Sequence, residues 1–243
     1  MGFIPAPRWM LPRSADALMT TQYAEQGKLR ALFGNRLAQQ LAGKTVLDFG
    51  CGIGLEVIEA LRDGAAQVVG LDIRQEVLDQ AARRVSAAGF AGRATFTTST
   101  TERVDIILSV DSFEHFGDPA AILAAMAQLL RPDGEIWVSF GPTWYHPLGG
   151  HLFSFFPWSH LIFTEGSLLR WRSQFRSDGA RKFGEVAGGL NQMTIARFER
   201  LVAASPLQFA ERNYRPIRIA RRFHNRLTRE FLTASVHCRL KLR

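Results

Sequence analysis

Three glycines alternate with other residues in the segment VLDFGCGIG, at Gly50, Gly52 and Gly54. A glycine lacks the Cβ atom that would stop the backbone from bending sharply or approaching a ligand closely. The helix predicted to follow presents free N–H groups in its first turn. Because many nucleotide-type ligands are bound in this way, the glycines predict such a ligand without specifying which one.

Two aspartates narrow the class of ligand. A dinucleotide fingerprint, G-x-G-x-x-G, needs a glycine where this chain has Leu55. Asp48, just before the glycines, would face a phosphate poorly and suits a ligand that carries an ammonium or sulfonium charge. Asp72 ends the next predicted strand, at a spacing typical of a carboxylate that accepts hydrogen bonds from a ribose diol. Either aspartate alone is better explained as a turn or helix-cap residue, but their combination, with the glycines between them, favours ligand binding.

Alternating strands and helices must position these residues. We expect strands over 44–49, 67–72, 94–98, 104–110 and 134–140, and helices from the end of the glycine loop to about 62, over 75–88 and over 119–130, with one or two helices over 15–41 broken near Gly34. After the aromatic-rich stretch 141–190 we expect a helix over 194–204, a strand over 207–214, a basic helix over 217–231 and a strand over 235–242. This order predicts a parallel sheet with right-handed crossovers, whose ligand lies at the carboxyl ends of the strands.

Composition excludes several classes of protein. The chain has 243 residues, 47% of them hydrophobic, and only two cysteines, which predicts neither a disulfide framework nor a metal site. We find no signal peptide and no apolar run long enough for a membrane span, so a cytoplasmic location is expected. The net charge is +8, and ten basic residues stand against one acid, Glu230, between positions 212 and 243. Such a face fits nucleic acid or an anionic membrane, but a solvated surface is the favoured interpretation.

With these motifs in place, the chain resembles the class I S-adenosylmethionine-dependent methyltransferases from residue 46 to about 141 and again from 194 to the end. VLDFGCGIG is similar to the first motif of that family and VVGLDI to the second, while VDIILSVDSFEHFGDP and LLRPDGEIWVSF resemble its fourth and fifth strands. The resemblance is closest to the small-molecule enzymes of the ubiquinone and menaquinone type. It implies an α/β, doubly wound, mostly parallel seven-stranded sheet, the Rossmann-like methyltransferase fold, with an aromatic-rich insertion after strand five.

The resemblance also implies one domain over 1–243: a helical cap (1–43), a cofactor core (44–141), a substrate lid (142–192) and a helix–strand unit (193–243). The cofactor would be S-adenosyl-L-methionine. Its expected contacts are Asp48, Gly50, Cys51, Gly52, Gly54, Asp72, Ile73, Ser109, Val110 and Asp111. The family's acid after strand three is missing, so we expect Thr98 or Ser99 to meet the adenine instead.

A general base is useful if the acceptor is a hydroxyl or an acidic carbon. His115, after strand four, is a candidate because imidazole side chains as a class suit proton transfer near neutral pH, although it would also pack the turn before Asp118. His146 and His151 in the insertion are equally plausible as the base. His146, His151 and His160 together could indicate a metal site. Their spacings match no metal-binding motif, so we predict no metal.

The insertion is strongly apolar, which fits a lipophilic or aromatic acceptor, a peripheral membrane contact or a homodimer contact. A small-molecule methyltransferase, by O- or C-methylation, is the favoured function. The alternatives are an RNA methyltransferase and a non-catalytic regulator that binds S-adenosylmethionine. The acidic loop after strand four and the absence of an appended RNA-binding module weigh against nucleic acid.

Overall fold

The computed structural model describes residues 27–151, 156–174, 179–185 and 189–243. Its strands are β1 (Thr45–Phe49), β2 (Gln67–Leu71), β3 (Ala94–Thr97), β4 (Val104–Val110), β5 (Leu130–Phe140), β6 (Leu207–Pro216) and β7 (Thr233–Leu242). Its helices are α1 (Lys28–Phe33), α2 (Asn35–Leu41), α3 (Leu55–Arg62), α4 (Gln75–Ala87), α5 (Pro119–Leu129), α6 (Ser159–Ile162), α7 (Glu165–Arg172), α8 (Ile195–Ala204) and α9 (Arg229–Leu232). Short 3-10 helices cover Phe113–His115, Phe183–Glu185 and Arg218–Phe223.

The strands form one seven-stranded sheet in the order β3-β2-β1-β4-β5-β7-β6. The first five strands pair in parallel, and β7 lies antiparallel between β5 and β6. The chain order reverses beside β1, so the loops after β1 and β4 meet at the switch point where such sheets bind ligands. The predicted doubly wound, mostly parallel sheet is therefore confirmed.

Both faces of the sheet are covered, because its central strands are nearly continuous apolar runs. One buried cluster packs α5 and α8 against β1, β4, β5 and β7. The other packs α1 to α4 against the opposite face. Local sequence sets the helix starts: Asp118 accepts hydrogen bonds from the first N–H groups of α5, with Pro119 at the first helical position, and Thr194 caps α8.

Two expectations about secondary structure need correction. The basic helix expected over 217–231 is wrong: the chain forms the 3-10 turn Arg218–Phe223, an irregular link and the short helix α9. The side chain of Asn225 accepts hydrogen bonds from the N–H groups of Leu227 and Thr228, and these local bonds replace helical ones. Strand β5 also begins four residues earlier than expected, at Leu130, with its register shifted between Val104 and Ile106 of β4.

The N-terminal prediction holds where it can be compared. Gly34 separates α1 from α2, and the part of that prediction before residue 27 lies outside the described residues. Within the described part of the chain, every helix is too short or too polar to cross a membrane.

Candidate active site

The glycine loop lies over the end of β2. The N–H groups of Gly50 and Cys51 both donate to the carbonyl of Leu71, at 2.8 and 2.9 Å. The φ angle of Gly50 is +87°, and a Cβ atom placed there would lie 2.8 Å from Cβ of Ser112. Gly54, with φ of +77°, precedes the first residue of α3. The loop is therefore shaped so that backbone, rather than side chains, lines the edge of the sheet.

Asp72 lies beside this loop. Its Oδ2 accepts a hydrogen bond from the N–H of Gly52 at 3.2 Å, and its Oδ1 accepts one from the N–H of Arg74 at 3.0 Å. The side chain of Arg74 also contacts both carboxylate oxygens. Burial raises the pKa of Asp72, but the hydrogen bonds from Arg74 outweigh it, so the pKa lies below its ordinary value. Asp72 is thus an ionised acceptor whose lone pairs are shared with a mostly exposed arginine.

Lys28, at the start of α1, contributes a cation to the same edge. Its Nζ lies 2.8 Å from Oε1 of Glu56 and 2.9 Å from Oδ2 of Asp111. Burial lowers the pKa of Lys28, but the attraction of these two carboxylates outweighs it and raises the pKa above its ordinary value. The backbone of α1 is held here by Glu59, whose carboxylate accepts hydrogen bonds from the N–H groups of Lys28 and Leu29 at 2.8 and 2.7 Å. Lys28 is therefore charged and fixed in place.

Asp48 is buried beneath the loop, and its Oδ2 has no hydrogen-bond partner among the described residues. Burial, with the nearby Glu56 next, raises the pKa of Asp48 well above its usual range. Three carboxylates thus share this edge with the cations Lys28 and Arg74: Glu56, Asp72 and Asp111. The carboxylates outnumber the cations by one, and a cationic ligand would also favour the ionised form of the buried Asp48, so the edge suits a positive charge better than a phosphate.

The turn after β4 is tightly organised. Asp111 has a φ angle of +48°, and its N–H donates to the carbonyl of Ser139 at 2.8 Å. Ser109 and Ser112 share a hydrogen bond of 2.9 Å between their hydroxyls, and the Ser112 hydroxyl donates to the carbonyl of Phe49. This turn therefore ties β4 to the end of β1 and supports the loop that follows it.

Glu114 is buried in the same turn. Its Oε1 accepts a hydrogen bond from the N–H of Gly141 at 3.3 Å, while its Oε2 has no partner among the described residues. Burial, reinforced by Asp111, raises the pKa of Glu114 to about 8. At neutral pH this carboxyl group is therefore largely protonated.

The histidines lie where the insertion meets this turn. Nδ1 of His115 is 2.7 Å from the carbonyl of Gly189, and its ring centroid is 5.7 Å from that of His151. A carbonyl only accepts, so the neutral His115 ring carries its proton on Nδ1 and leaves Nε2 as an acceptor. Burial, with His115 next, lowers the pKa of His151 to about 4, and burial, with His160 next, lowers that of His146 to about 4.

The remaining predicted residues lie along the same edge. Cys51 and Val110 are buried, and Ile73 is almost fully exposed beside Asp72. Thr98 and Ser99 are exposed past the end of β3, where the Thr97 hydroxyl donates to the carbonyl of Ser99. Among the residues that the structure describes, no cluster of three histidines, cysteines or acids is arranged to hold a metal ion.

The insertion is fastened to the turn after β4. The N–H of Asn191 donates to the carbonyl of Glu114 at 2.9 Å, and its side-chain amide donates to the carbonyls of Phe113 and Phe116. Several of its aromatic rings pack inside a small core of their own: Trp144, Phe163, Trp171 and Phe183, with Leu168, Leu169 and Leu190. Phe153 and Phe155, also expected in the lid, lie outside the described residues. This part of the expected lid is therefore internally packed.

Sequence reasoning missed Lys28, Glu56 and Arg74. Glu56 and Arg74 directly follow the glycine loop and Asp72 but match no motif, and only packing brings Lys28 to Asp111. The sequence signal closest to Lys28 was the glycine before it, Gly27, which in the structure has a φ of +77°, precedes α1 and lies against Glu59.

The comparisons with known proteins agree with this geometry. A family model described as a methyltransferase domain matches residues 22–175. The chain is 35% identical over 105 residues to a ubiquinone biosynthesis O-methyltransferase of Aromatoleum aromaticum, a match that covers 41% of this chain and 44% of that protein. The match therefore spans less than half the length of this curated relative.

Two solved structures share the fold. An S-adenosylmethionine-dependent methyltransferase from Mesorhizobium loti has a TM-score of 0.57 at 18% identity, covering 87% of this chain and 94% of its own. Magnesium protoporphyrin IX methyltransferase from Synechocystis has a TM-score of 0.57 at 17% identity, covering 96% and 89%. The family model spans more than half of the chain, and the chain therefore belongs to the class I S-adenosylmethionine-dependent methyltransferase family.

Proposed function

We propose that the chain transfers the methyl group of S-adenosyl-L-methionine to a hydroxyl or carbon of a small, apolar or aromatic acceptor. The observation that carries this proposal is the group of acids around the glycine loop: the carboxylates Glu56, Asp72 and Asp111, and the buried Asp48, whose Oδ2 has no partner among the described residues and whose ionised form a cationic ligand would favour. A sulfonium and an ammonium are cations, and an acidic edge favours them over the phosphates of a dinucleotide or an RNA. The Aromatoleum aromaticum relative, whose name describes an O-methyltransferase of ubiquinone biosynthesis, supports a hydroxyl acceptor.

The residues present fit this cofactor. A Cβ atom at Gly50 would clash with Ser112, so the course of the glycine loop over the edge of the sheet depends on that glycine. We propose that Asp72 accepts hydrogen bonds from the ribose hydroxyls once Arg74 moves aside, which its exposed position allows. Exposed Ile73 would cover the adenine, with Thr98 or Ser99 at its edge. Lys28 would meet the amino-acid carboxylate, and the carboxylates near Asp48 its ammonium group.

The bound cofactor supplies an activated methyl group for in-line displacement, so the protein mainly aligns the two reactants and holds a proton acceptor. We propose His115 as that acceptor, because its Nδ1 is committed to Gly189 and its Nε2 is free to take a proton. His146 and His151 are the alternative bases, although a pKa of about 4 makes each a weaker proton acceptor. The segment 142–192 would act as the substrate lid.

Two further parts of the proposal concern the chemistry of the acceptor and the location of the protein in the cell. The aromatic side chains of the insertion support a lipophilic or aromatic acceptor, since apolar pockets are the usual sites for such molecules. The two cysteines, Cys51 and Cys238, are free and buried, which supports a reducing, cytoplasmic location.

The test has a binding arm and a transfer arm. Calorimetry should show saturable binding of S-adenosylmethionine and no binding of NADH. The variant Asp72→Asn should bind S-adenosylmethionine more weakly. Incubation with S-adenosylmethionine carrying a labelled methyl group and a panel of catechols and phenols should move the label into at least one acceptor. Binding without transfer to any acceptor would favour a regulatory protein, and transfer to RNA alone would contradict the small-molecule proposal.

A further inference from the structure

The connection between β6 and β7, residues 217–232, exposes large apolar side chains. Ile219 is 92% exposed, Leu227 90%, Phe223 54% and Phe231 44%. Single exposed apolar residues are common on protein surfaces, but four within thirteen residues form a patch, and such patches mark interaction sites.

Arginines are interleaved with these side chains. Arg218, Arg221, Arg222 and Arg226 are exposed and form no salt bridge with any residue in the described ranges. The guanidinium of Arg222 lies 4.6 Å from the ring centroid of Phe223. Within the part of the chain that the structure describes, these four exposed cations therefore have no carboxylate to balance their charge.

The other charged groups of this region are engaged with the protein. Arg229 pairs with Glu199 at 2.6 Å, and Arg215 donates to the carbonyls of Ala31 and Leu32 at the end of α1. The acid of the segment, Glu230, faces inward and accepts hydrogen bonds from the first N–H groups of α8. The acids of this region are therefore bonded to the protein, whereas the four arginines without salt bridges face solvent.

The segment has a defined conformation. The N–H of Ile217 donates to the carbonyl of Leu232 at 2.8 Å and closes the base of the connection. The side chains of Asn225 and Thr228 bond to the backbone of the turn between them, and His224 pairs with the hydroxyl of Thr233 at 2.9 Å. Hydrogen bonds within the connection therefore hold it in a conformation that exposes the apolar side chains to solvent.

The patch continues onto the insertion. The ring of Phe231 lies 5.4 Å from that of Tyr145, whose carbonyl accepts a hydrogen bond from the indole N–H of Trp158. Helix α6 follows Trp158 and exposes Leu161 and Ile162. The combined surface therefore reaches from the β6–β7 connection to residues that follow the carboxyl end of β5.

We infer that this surface binds the face of an anionic lipid bilayer, with residues 217–232 lying at the headgroup level. Exposed aliphatic side chains gain by entering the acyl boundary, while arginines beside them attract anionic headgroups. A nucleic acid would use the arginines but give Ile219 and Leu227 no favourable contact, and a second copy of the chain would bring four uncompensated arginines against four more. This inference goes beyond the proposed methyl transfer and does not depend on it.

The test is sedimentation of the full chain with phosphatidylcholine vesicles that contain or lack phosphatidylglycerol. We expect binding only to the anionic vesicles, weakened by high salt. The variant Arg221→Glu/Arg222→Glu should lose about 30-fold or more in partitioning, because each basic residue near the surface contributes several-fold. The matched control, Arg83→Glu/Arg84→Glu on the exposed face of α4, makes the same charge change and should bind like the wild type.

The apolar arm uses Ile219→Ser/Leu227→Ser, which keeps every charge and should reduce partitioning at least about tenfold. Thermal unfolding of all variants checks that these exposed substitutions leave the fold intact. Equal losses in the two charge variants would overturn the inference, as would full vesicle binding by the serine variant. It would also fail if the serine variant dissociated a dimer, or if the chain retained RNA but not anionic vesicles.

Discussion

The guanidinium of Arg74 contacts both carboxylate oxygens of Asp72, with Nε 3.0 Å from Oδ1 and Nη2 3.0 Å from Oδ2. A ribose diol would need the same oxygens, so the arginine and the ligand compete for one acceptor. Because Arg74 is largely exposed, its ion pair is worth at most about 1 kcal/mol. The arginine therefore weakens ligand binding without preventing it.

This relationship predicts opposite effects for two neighbouring substitutions. Arg74→Ser should tighten the binding of S-adenosylmethionine by up to about fivefold, because it frees Asp72. Asp72→Asn should weaken binding by roughly tenfold to a hundredfold, because charge-assisted hydrogen bonds are lost. Calorimetry measures both dissociation constants. Weaker binding by Arg74→Ser would mean that the arginine contacts the ligand itself.

Gly50 gives a second prediction. Gly50→Ala should lower the free energy of unfolding by about 2–4 kcal/mol, because the new Cβ is placed both at a φ of +87° and 2.8 Å from Cβ of Ser112. Gly89→Ala is the matched control, with the same φ of +87° and nothing within 4 Å of its Cβ, and should cost only about 1–2 kcal/mol. Urea denaturation measures both values.

A double-mutant cycle isolates the contact between positions 50 and 112. Ser112→Gly removes the atom that the new Cβ would meet, so the cost of Gly50→Ala should be smaller in that background. If Gly50→Ala and Gly89→Ala cost the same, and the cycle shows no coupling, the close approach at Gly50 is not a constraint on the loop.

The sequence predicted the site residues whose positions follow from the pattern of apolar strands and helices. The glycine loop, Asp48 and Asp72 follow from apolar strands whose ends must meet at one edge of a parallel sheet. Lys28 could not be predicted in this way, because only the packing of α1 against α3 brings it to Glu56. The position of a side chain that arrives from another layer depends on tertiary contacts that periodicity does not encode.

The wrong helix over 217–231 has a similar cause. Arginines and apolar residues alternate there with a helix-like spacing, but a helix has to compete with local hydrogen bonds from Asn225 and Thr228. The apolar residues of that pattern also have no core to face, since they are exposed in the structure. Amphipathic spacing predicts a helix reliably only when its apolar face is buried against other elements.

Glu114 should make stability fall as the pH rises. Below its ordinary pKa of about 4.5 the carboxyl is protonated in both the folded and unfolded chains and costs nothing. Between 4.5 and the folded pKa of about 8, only the unfolded chain loses the proton, so the folded state is progressively disfavoured. Glu114→Gln keeps an acceptor for the N–H of Gly141 and should raise the free energy of unfolding by up to about 5 kcal/mol at pH 9, with little change at pH 4.

Denaturant titrations of wild type and Glu114→Gln across this range measure the difference. Parallel stability curves for the two proteins would show that the Glu114 carboxyl is ionised in the folded state well below pH 8.

The ion pairs of Lys28 should contribute more to the free energy of unfolding than an exposed ion pair does. Lys28→Met leaves Glu56 and Asp111 without their cation in a mostly buried setting, and should cost about 2–4 kcal/mol of stability. Arg36→Met removes the exposed pair with Glu211 and should cost less than about 0.5 kcal/mol. Thermal and urea unfolding measure both. Equal costs would show that the Lys28 pairs are solvated in the folded protein and do not shape the site.

His115 is tested through the rate of transfer. With a phenolic acceptor from the label-transfer panel, His115→Gln should lower kcat by about 100-fold and leave the Kd for S-adenosylmethionine unchanged, because the base acts on the acceptor. The defect should narrow toward pH 10, where a phenol ionises without help. His224→Gln, which removes an imidazole bonded to Thr233 in the β6–β7 connection, should keep the wild-type rate. If His146→Gln or His151→Gln lowers kcat while His115→Gln does not, proton transfer belongs to the insertion, and His115 serves to hold Gly189.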